Sequence, residues 1–345
     1  MGPARCAQPD RRRVLRRGAP SGVRTGAEAV TADRAGAARA AAEAVGAGVT
    51  TGLSAFPLTP LRDDRVDEHA YAGIVERLAR AGIDSIGALG STGSYAYLDR
   101  AERRRVAELT VQSAGDVPVI VGISALRTSH ARALAHDAQA AGAAAVMLAP
   151  MSYQPLTADD VVGLYTDVAT ELSVPMVVYD NPGTTRFDFT PELYARLTEL
   201  PAVASIKIPP PPPAAEAARD HIARLREAVP ARVGLGFSGD PSAAAALLGG
   251  CDCWYSVLAG TLPGPALQIA RSALAGDSGE AFAASDRLAL LWDLFVRHGS
   301  LRVVAAVAEL LGLAPGHCLP RPLLGLRGRD RAEVETVLTA LSLAK

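Results

Sequence analysis

From Val49 onward, short apolar runs alternate with longer segments in which apolar residues return at helical spacing. The runs fall at 49–56, 85–89, 118–122, 145–149, 175–179, 203–208, 232–237 and 253–257. Between them lie helical patterns such as 71–81, 100–114 and 128–141. In the last of these, Ala131, Leu134, Ala135 and Ala138 share one face at i, i+3, i+4, i+7 spacing. Gly82 and Gly142 follow helix ends, and Pro118 and Pro175 open strands. Eight strand–helix units over about 225 residues predict an α/β fold, a closed (β/α)8 TIM barrel. A doubly wound sheet usually has fewer units and a glycine-rich nucleotide turn after its first strand. Here that strand runs into Phe56-Pro57-Leu58-Thr59-Pro60, so a dinucleotide site is not expected.

The pattern divides the chain into an extension over 1–46, the barrel over 47–275 and a C-terminal helical region over 276–345. In the last region, one helix is predicted over 280–296, with Leu288, Leu291, Trp292 and Phe295 on a broad apolar face. Two more follow at 302–311 and 332–344, giving a helical appendage packed on the barrel or on a partner subunit. The five prolines from Pro209 to Pro213 read as a stiff lead out of the sixth strand.

Composition narrows the function classes. With 345 residues, 49% of them hydrophobic and 21% charged, the chain reads as a folded, enzyme-sized protein. A formal net charge of -1 provides no global field for nucleic acid or an anionic membrane. No apolar run reaches the roughly 20 residues needed to span a bilayer. Four cysteines, at 6, 251, 253 and 318, argue against a disulfide scaffold and suit a reducing, cytoplasmic compartment. The extension is basic around Arg11 to Arg13 and Arg16-Arg17 and lacks the apolar stretch of a secretory signal, so disorder is expected there.

The candidate chemistry starts at Lys207, the single lysine in the run Val203-Ala204-Ser205-Ile206-Lys207-Ile208. A lysine near the end of an apolar strand is costly unless it is paired, solvated or used. It can simply snorkel to solvent. However, the preceding strand, Pro175-Met176-Val177-Val178-Tyr179, also ends in a polar aromatic. If the two are parallel neighbours, an amine and a phenol face one cavity. Such a pair can form a Schiff base with a keto acid and move protons around it. The loop Gly90-Ser91-Thr92-Gly93-Ser94 offers N–H groups and hydroxyls suited to a carboxylate. Other rim loops carry Met151-Ser152-Tyr153, the run from Tyr179 to Arg186, and Ser238-Gly239-Asp240. Cys251-Asp252-Cys253 has no second pair at zinc spacing, and the six histidines form no metal motif, so neither metal nor cofactor is expected. No Gly-x-Ser-x-Gly elbow occurs.

Taken in order, Gly90-Ser91-Thr92-Gly93, Tyr179-Asp180-Asn181-Pro182-Gly183, Ile206-Lys207 and Ser238-Gly239-Asp240 resemble the dihydrodipicolinate synthase / N-acetylneuraminate lyase family of class I aldolases. The resemblance covers about residues 48–324. It implies that Lys207 forms an imine with pyruvate or a related 2-oxo acid and that Tyr179 shuttles protons. It also implies that Ser91 and Thr92 hold the keto acid's carboxylate, with Ser152, Tyr153, Thr184, Arg186 and Gly239 as further substrate-binding candidates. The expected partners are a small 2-oxo acid, an aldehyde, and a second copy of the chain in a homodimer or homotetramer. Several positions depart from the family pattern. Thr184 stands where synthases of the diaminopimelate pathway usually carry an arginine, with Arg186 two residues on. Ser152 stands where a tyrosine commonly reaches across a subunit interface. Ser94 and Ile208 replace common glutamates. These losses favour a lyase, aldolase or synthase acting on a 2-oxo acid over three alternatives: dihydrodipicolinate synthase proper, a sugar-acid dehydratase and a non-catalytic barrel oligomer.

Overall fold

Eight strands of four to six residues close into a parallel barrel in which each pairs with its neighbours in sequence and the last returns to the first. They are β1 (Gly52–Ala55), β2 (Ser85–Ala88), β3 (Val119–Gly122), β4 (Ala145–Leu148), β5 (Met176–Tyr179), β6 (Val203–Ile208), β7 (Gly234–Phe237) and β8 (Cys253–Ser256). This computed structural model describes residues 1–2 and 48–344; the expected extension over 1–46 lies outside them apart from Met1 and Gly2.

Alternation along the strands sorts side chains into two sets. Val178, Ile206, Leu235 and Trp254 turn outward and join the helices in the main apolar cluster. Ile120, Met147, Val177, Tyr179, Cys253 and Tyr255 fill the interior. Deep inside, the Tyr255 hydroxyl and Ser205 Oγ hydrogen-bond at 3.0 Å. Tyr255 needs the bare backbone of Gly236, because a Cβ there would sit 2.2 Å from its ring. Gly87 does the same for Phe56, whose ring would lie 2.2 Å from an added Cβ. Two glycines thus admit two aromatic rings to the barrel.

The barrel helices are α1 (Glu68–Ala81), α2 (Arg100–Ala114), α3 (Thr128–Ala140), α4 (Ala158–Ala169), α5 (Pro191–Thr198), α6 (Ala215–Ala228), α7 (Ala243–Leu248) and α8 (Pro263–Leu274). Local signals set their ends. Asp99 and Glu102 form a capping box at the start of α2, and Gly82 closes α1 in the left-handed conformation. Beyond the barrel come α9 (Ser278–Asp286), α10 (Ala289–His298), α11 (Ser300–Leu310) and α12 (Gly328–Ala340). The single helix expected over 280–296 is therefore two. The break at Arg287-Leu288 is stabilised by Trp292, whose Nε1 donates to the Ser285 carbonyl at 3.0 Å. A short antiparallel ladder, Leu61–Arg62 against Arg65–Val66, was also not anticipated. Leu58 from the β1 loop packs with Ala305, Ala308, Cys318 and Leu319, which brings the C-terminal helices to the barrel's C-terminal mouth.

Candidate active site

Tyr179 and Lys207 are register partners at the ends of β5 and β6, so the expected adjacency of phenol and amine is present. Both face the interior, because each lies two residues beyond an inward-facing neighbour, Val177 and Ser205 respectively. They line a cavity of about 760 Å³ at the C-terminal mouth of the barrel, the end where barrel enzymes assemble their chemistry.

The amine sits among rings. Nζ lies 4.2 Å from the centroids of both Phe56 and Tyr179, and 5.5 Å from that of Tyr255. Lys207 is only 4% exposed, and among the described residues no carboxylate forms an ion pair with it. Burial lowers its pKa to about 7, against an opposing pull from Asp240 and then Cys253. A substantial neutral fraction is therefore available near neutrality, which nucleophilic attack on a ketone requires.

The Tyr179 hydroxyl accepts a hydrogen bond from Asn181 Nδ2 at 2.8 Å and shares another with Ser91 Oγ at 3.3 Å. Burial raises its pKa more than these bonds lower it, so the phenol carries its proton and can donate it. Ser91 and Thr92 both line the cavity, in a turn closed by Ser94 N–H donating to the Ser91 carbonyl at 3.1 Å. The N–H groups of Thr92 and Gly93 have no partner among the described residues, which suits them to a carboxylate. Beneath this loop, Arg103 donates to the carbonyls of Gly122 and Ser124 at 2.9 and 3.0 Å and lies 5.2 Å from the centre of the Tyr95 ring. That cation holds the loop's far side in place without reaching the cavity.

Thr184 and Gly239 also line the cavity, whereas Ser152, Tyr153 and Arg186 do not. Tyr153 is 91% exposed, and Arg186 is exposed in a left-handed backbone conformation after the helical turn Pro182–Thr185. Arg186→Ala should consequently leave turnover within about twofold of wild type in steady-state assays.

Residue-level reading missed three contributors. Asn181 stood in the quoted motif, but its bond to the phenol depends on the bend after β5. Phe56 reaches the amine only because Gly87 is small. Asp240 accepts from Trp254 Nε1 and Ser256 Oγ, each at 2.9 Å, and from Leu258 N–H at 3.1 Å, pinning the β7 loop to β8. The Cys251 and Cys253 thiols are buried and free, and burial lifts their pKa values well above ordinary. Among the described residues no cluster could hold a metal ion. Nor is any described helix long and apolar enough to cross a membrane.

The amine's burial has a pH signature. Its folded-state pKa lies below the ordinary 10.5, so the unfolded chain binds more protons between about pH 7 and 10.5. This group's contribution to stability therefore rises with pH across that window. Lys207→Met should be more stable than wild type at pH 7, on the order of 1–3 kcal/mol, with the gap narrowing toward pH 10. Denaturant titrations at both pH values check the difference.

A family model described as the dihydrodipicolinate synthetase family matches residues 49–341. The chain belongs to this family. It is 33% identical over 278 residues to the 4-hydroxy-tetrahydrodipicolinate synthase of Methylococcus capsulatus, covering 80% of this chain and 93% of that one. Among solved structures, a dihydrodipicolinate synthase from Agrobacterium tumefaciens is 44% identical, with a TM-score of 0.81 over 85% of this chain and 98% of its own. The Acinetobacter baumannii enzyme of the same name, solved with pyruvate, is 25% identical with a TM-score of 0.78, covering 86% of this chain and 100% of its own. Membership makes the protein a Schiff-base-forming enzyme of the class I aldolase type, acting on a 2-oxo acid.

Proposed function

We propose that the protein condenses pyruvate with an aldehyde, and cleaves the product in reverse, through an imine on Lys207. The observation that carries this reading is the neutral-capable amine beside a protonated phenol, both facing one cavity at the strand ends. Ser91, Thr92 and the free N–H groups of that turn receive the pyruvate carboxylate. This places the ketone before Lys207 Nζ. Attack gives a carbinolamine, and Tyr179 donates the proton with which its hydroxyl leaves as water. The resulting protonated imine draws electrons from the adjacent methyl carbon, which loses a proton and becomes the enamine nucleophile.

The names of the relatives support the synthase direction, in which a carbon–carbon bond is made, more than the dehydratase weighed from the missing arginine. Dihydrodipicolinate synthesis proper is the second reading; the relatives' names favour it, while Thr184 at the arginine position weakens it. The expected homodimer or homotetramer and a cytoplasmic setting belong to the same proposal.

Borohydride added in the presence of pyruvate tests the central step. Expected is a covalent mass increase on a peptide containing Lys207 together with loss of activity. An unmodified lysine under saturating pyruvate would refute the imine.

A further inference from the structure

The acceptor half of the cavity differs sharply from the end that holds the carboxylate. Among the described residues, Lys207 is the only Lys, Arg or His side chain that lines it. The outer wall is made by Tyr97, Phe295, Val296, Leu301 and Leu323, from the β2 loop, α10, α11 and the segment before α12. Tyr97 and Val296 are 48% and 81% exposed, so this wall lies at the mouth, where a second substrate enters.

The polar groups on the opposite side are largely engaged. Thr184 Oγ1 and Thr185 Oγ1 both donate to the Asn181 carbonyl, at 3.3 and 2.9 Å. Ser238 Oγ donates to the Ile208 carbonyl at 3.1 Å. The Asp240 carboxylate accepts the three bonds that pin β8. A second carboxylate seated here would lose its hydration without gaining a countercharge, and a polyol would leave most of its hydroxyls unpaired. An apolar group faces neither cost and gains contact with the wall.

We propose that this cavity selects a neutral, apolar aldehyde, aromatic or branched aliphatic, as the partner of the pyruvate enamine. The inference rests on imine formation at Lys207. The enamine carbon attacks the aldehyde carbon, a carbon–carbon bond forms, and the carbonyl π pair becomes an alkoxide. That oxygen takes up a proton, matching the one lost when the enamine formed. Water then adds to the imine carbon, the C–N bond breaks, and the amine is restored as a 4-hydroxy-2-oxo acid leaves. Selectivity comes from the wall and from the missing cation, the latter because Thr184 has no charge to offer and Arg186 lies off the cavity.

The test uses the full chain with saturating pyruvate and two aldehydes, benzaldehyde and succinic semialdehyde, which differ in ring and carboxylate. Expected is a kcat/KM for benzaldehyde about tenfold or more above that for succinic semialdehyde. Thr184→Arg, which adds a cation on the cavity side, and Leu301→Asn, which adds a polar group to the wall, should each narrow that ratio. Equal or better use of succinic semialdehyde by wild type would overturn the inference, including the case in which a second copy of the chain supplies the cation. Failure of benzaldehyde to give product while pyruvate is trapped by borohydride would overturn it too, and would leave the imine standing. Absence of the trapped adduct removes the imine itself, and this inference with it.

Discussion

Lys207→Ala is expected to abolish the borohydride-trapped adduct and to lower kcat/KM by about 10⁴-fold or more, as loss of a covalent nucleophile does. The argument is geometric before it is electrostatic. Nothing else lining the cavity can form an imine, because Lys207 is the only primary amine there among the described residues. The wild-type rate of imine formation should also fall as pH drops through about 7, where the amine takes up its proton. Stopped-flow measurement between pH 5.5 and 8.5, values chosen to bracket that point by roughly 1.5 units on either side, reads this limb directly.

Tyr179→Phe is the second large effect, expected at about 10²–10³-fold in kcat with a much smaller change in KM for pyruvate. Phenylalanine keeps the ring 4.2 Å from the amine and removes only the hydroxyl that Asn181 and Ser91 hold. Substrate binding through the Ser91-Thr92 turn should survive, while proton transfer to and from the carbinolamine slows. Exchange of the pyruvate methyl hydrogens with deuterated water isolates that step without an acceptor. An unchanged exchange rate would remove the phenol from the proton path.

The pairing of these two residues was legible in the sequence because it depends only on period-two alternation and on strand order. Tyr179 ends one apolar run and Lys207 nearly ends the next, and parallel neighbours in a barrel put such ends side by side. The carboxylate turn was legible for a similar reason, since its glycines and hydroxyls are contiguous. What could not be read depends on contacts between distant segments. Phe56 becomes a wall of the amine's pocket only through the space left by Gly87, and no pattern in either segment announces the other. Asp240 is an ordinary loop acid until the fold sets Trp254 and Ser256 against it. The split of the predicted 280–296 helix escaped periodicity because its apolar face continues across the break. Arg186 and Tyr153 were plausible by spacing alone. Their side chains are placed by the bends after β5 and β4, which spacing does not describe.

The Tyr255 plug has a kinetic consequence. With its ring filling the barrel below the amine, both reactants and the hydrolytic water share a single doorway. Pyruvate must go in first, and an aldehyde seated behind it stoppers the channel until the new bond is made. Turnover should therefore follow a compulsory sequence, with excess aldehyde blocking the path of pyruvate and appearing as competitive substrate inhibition.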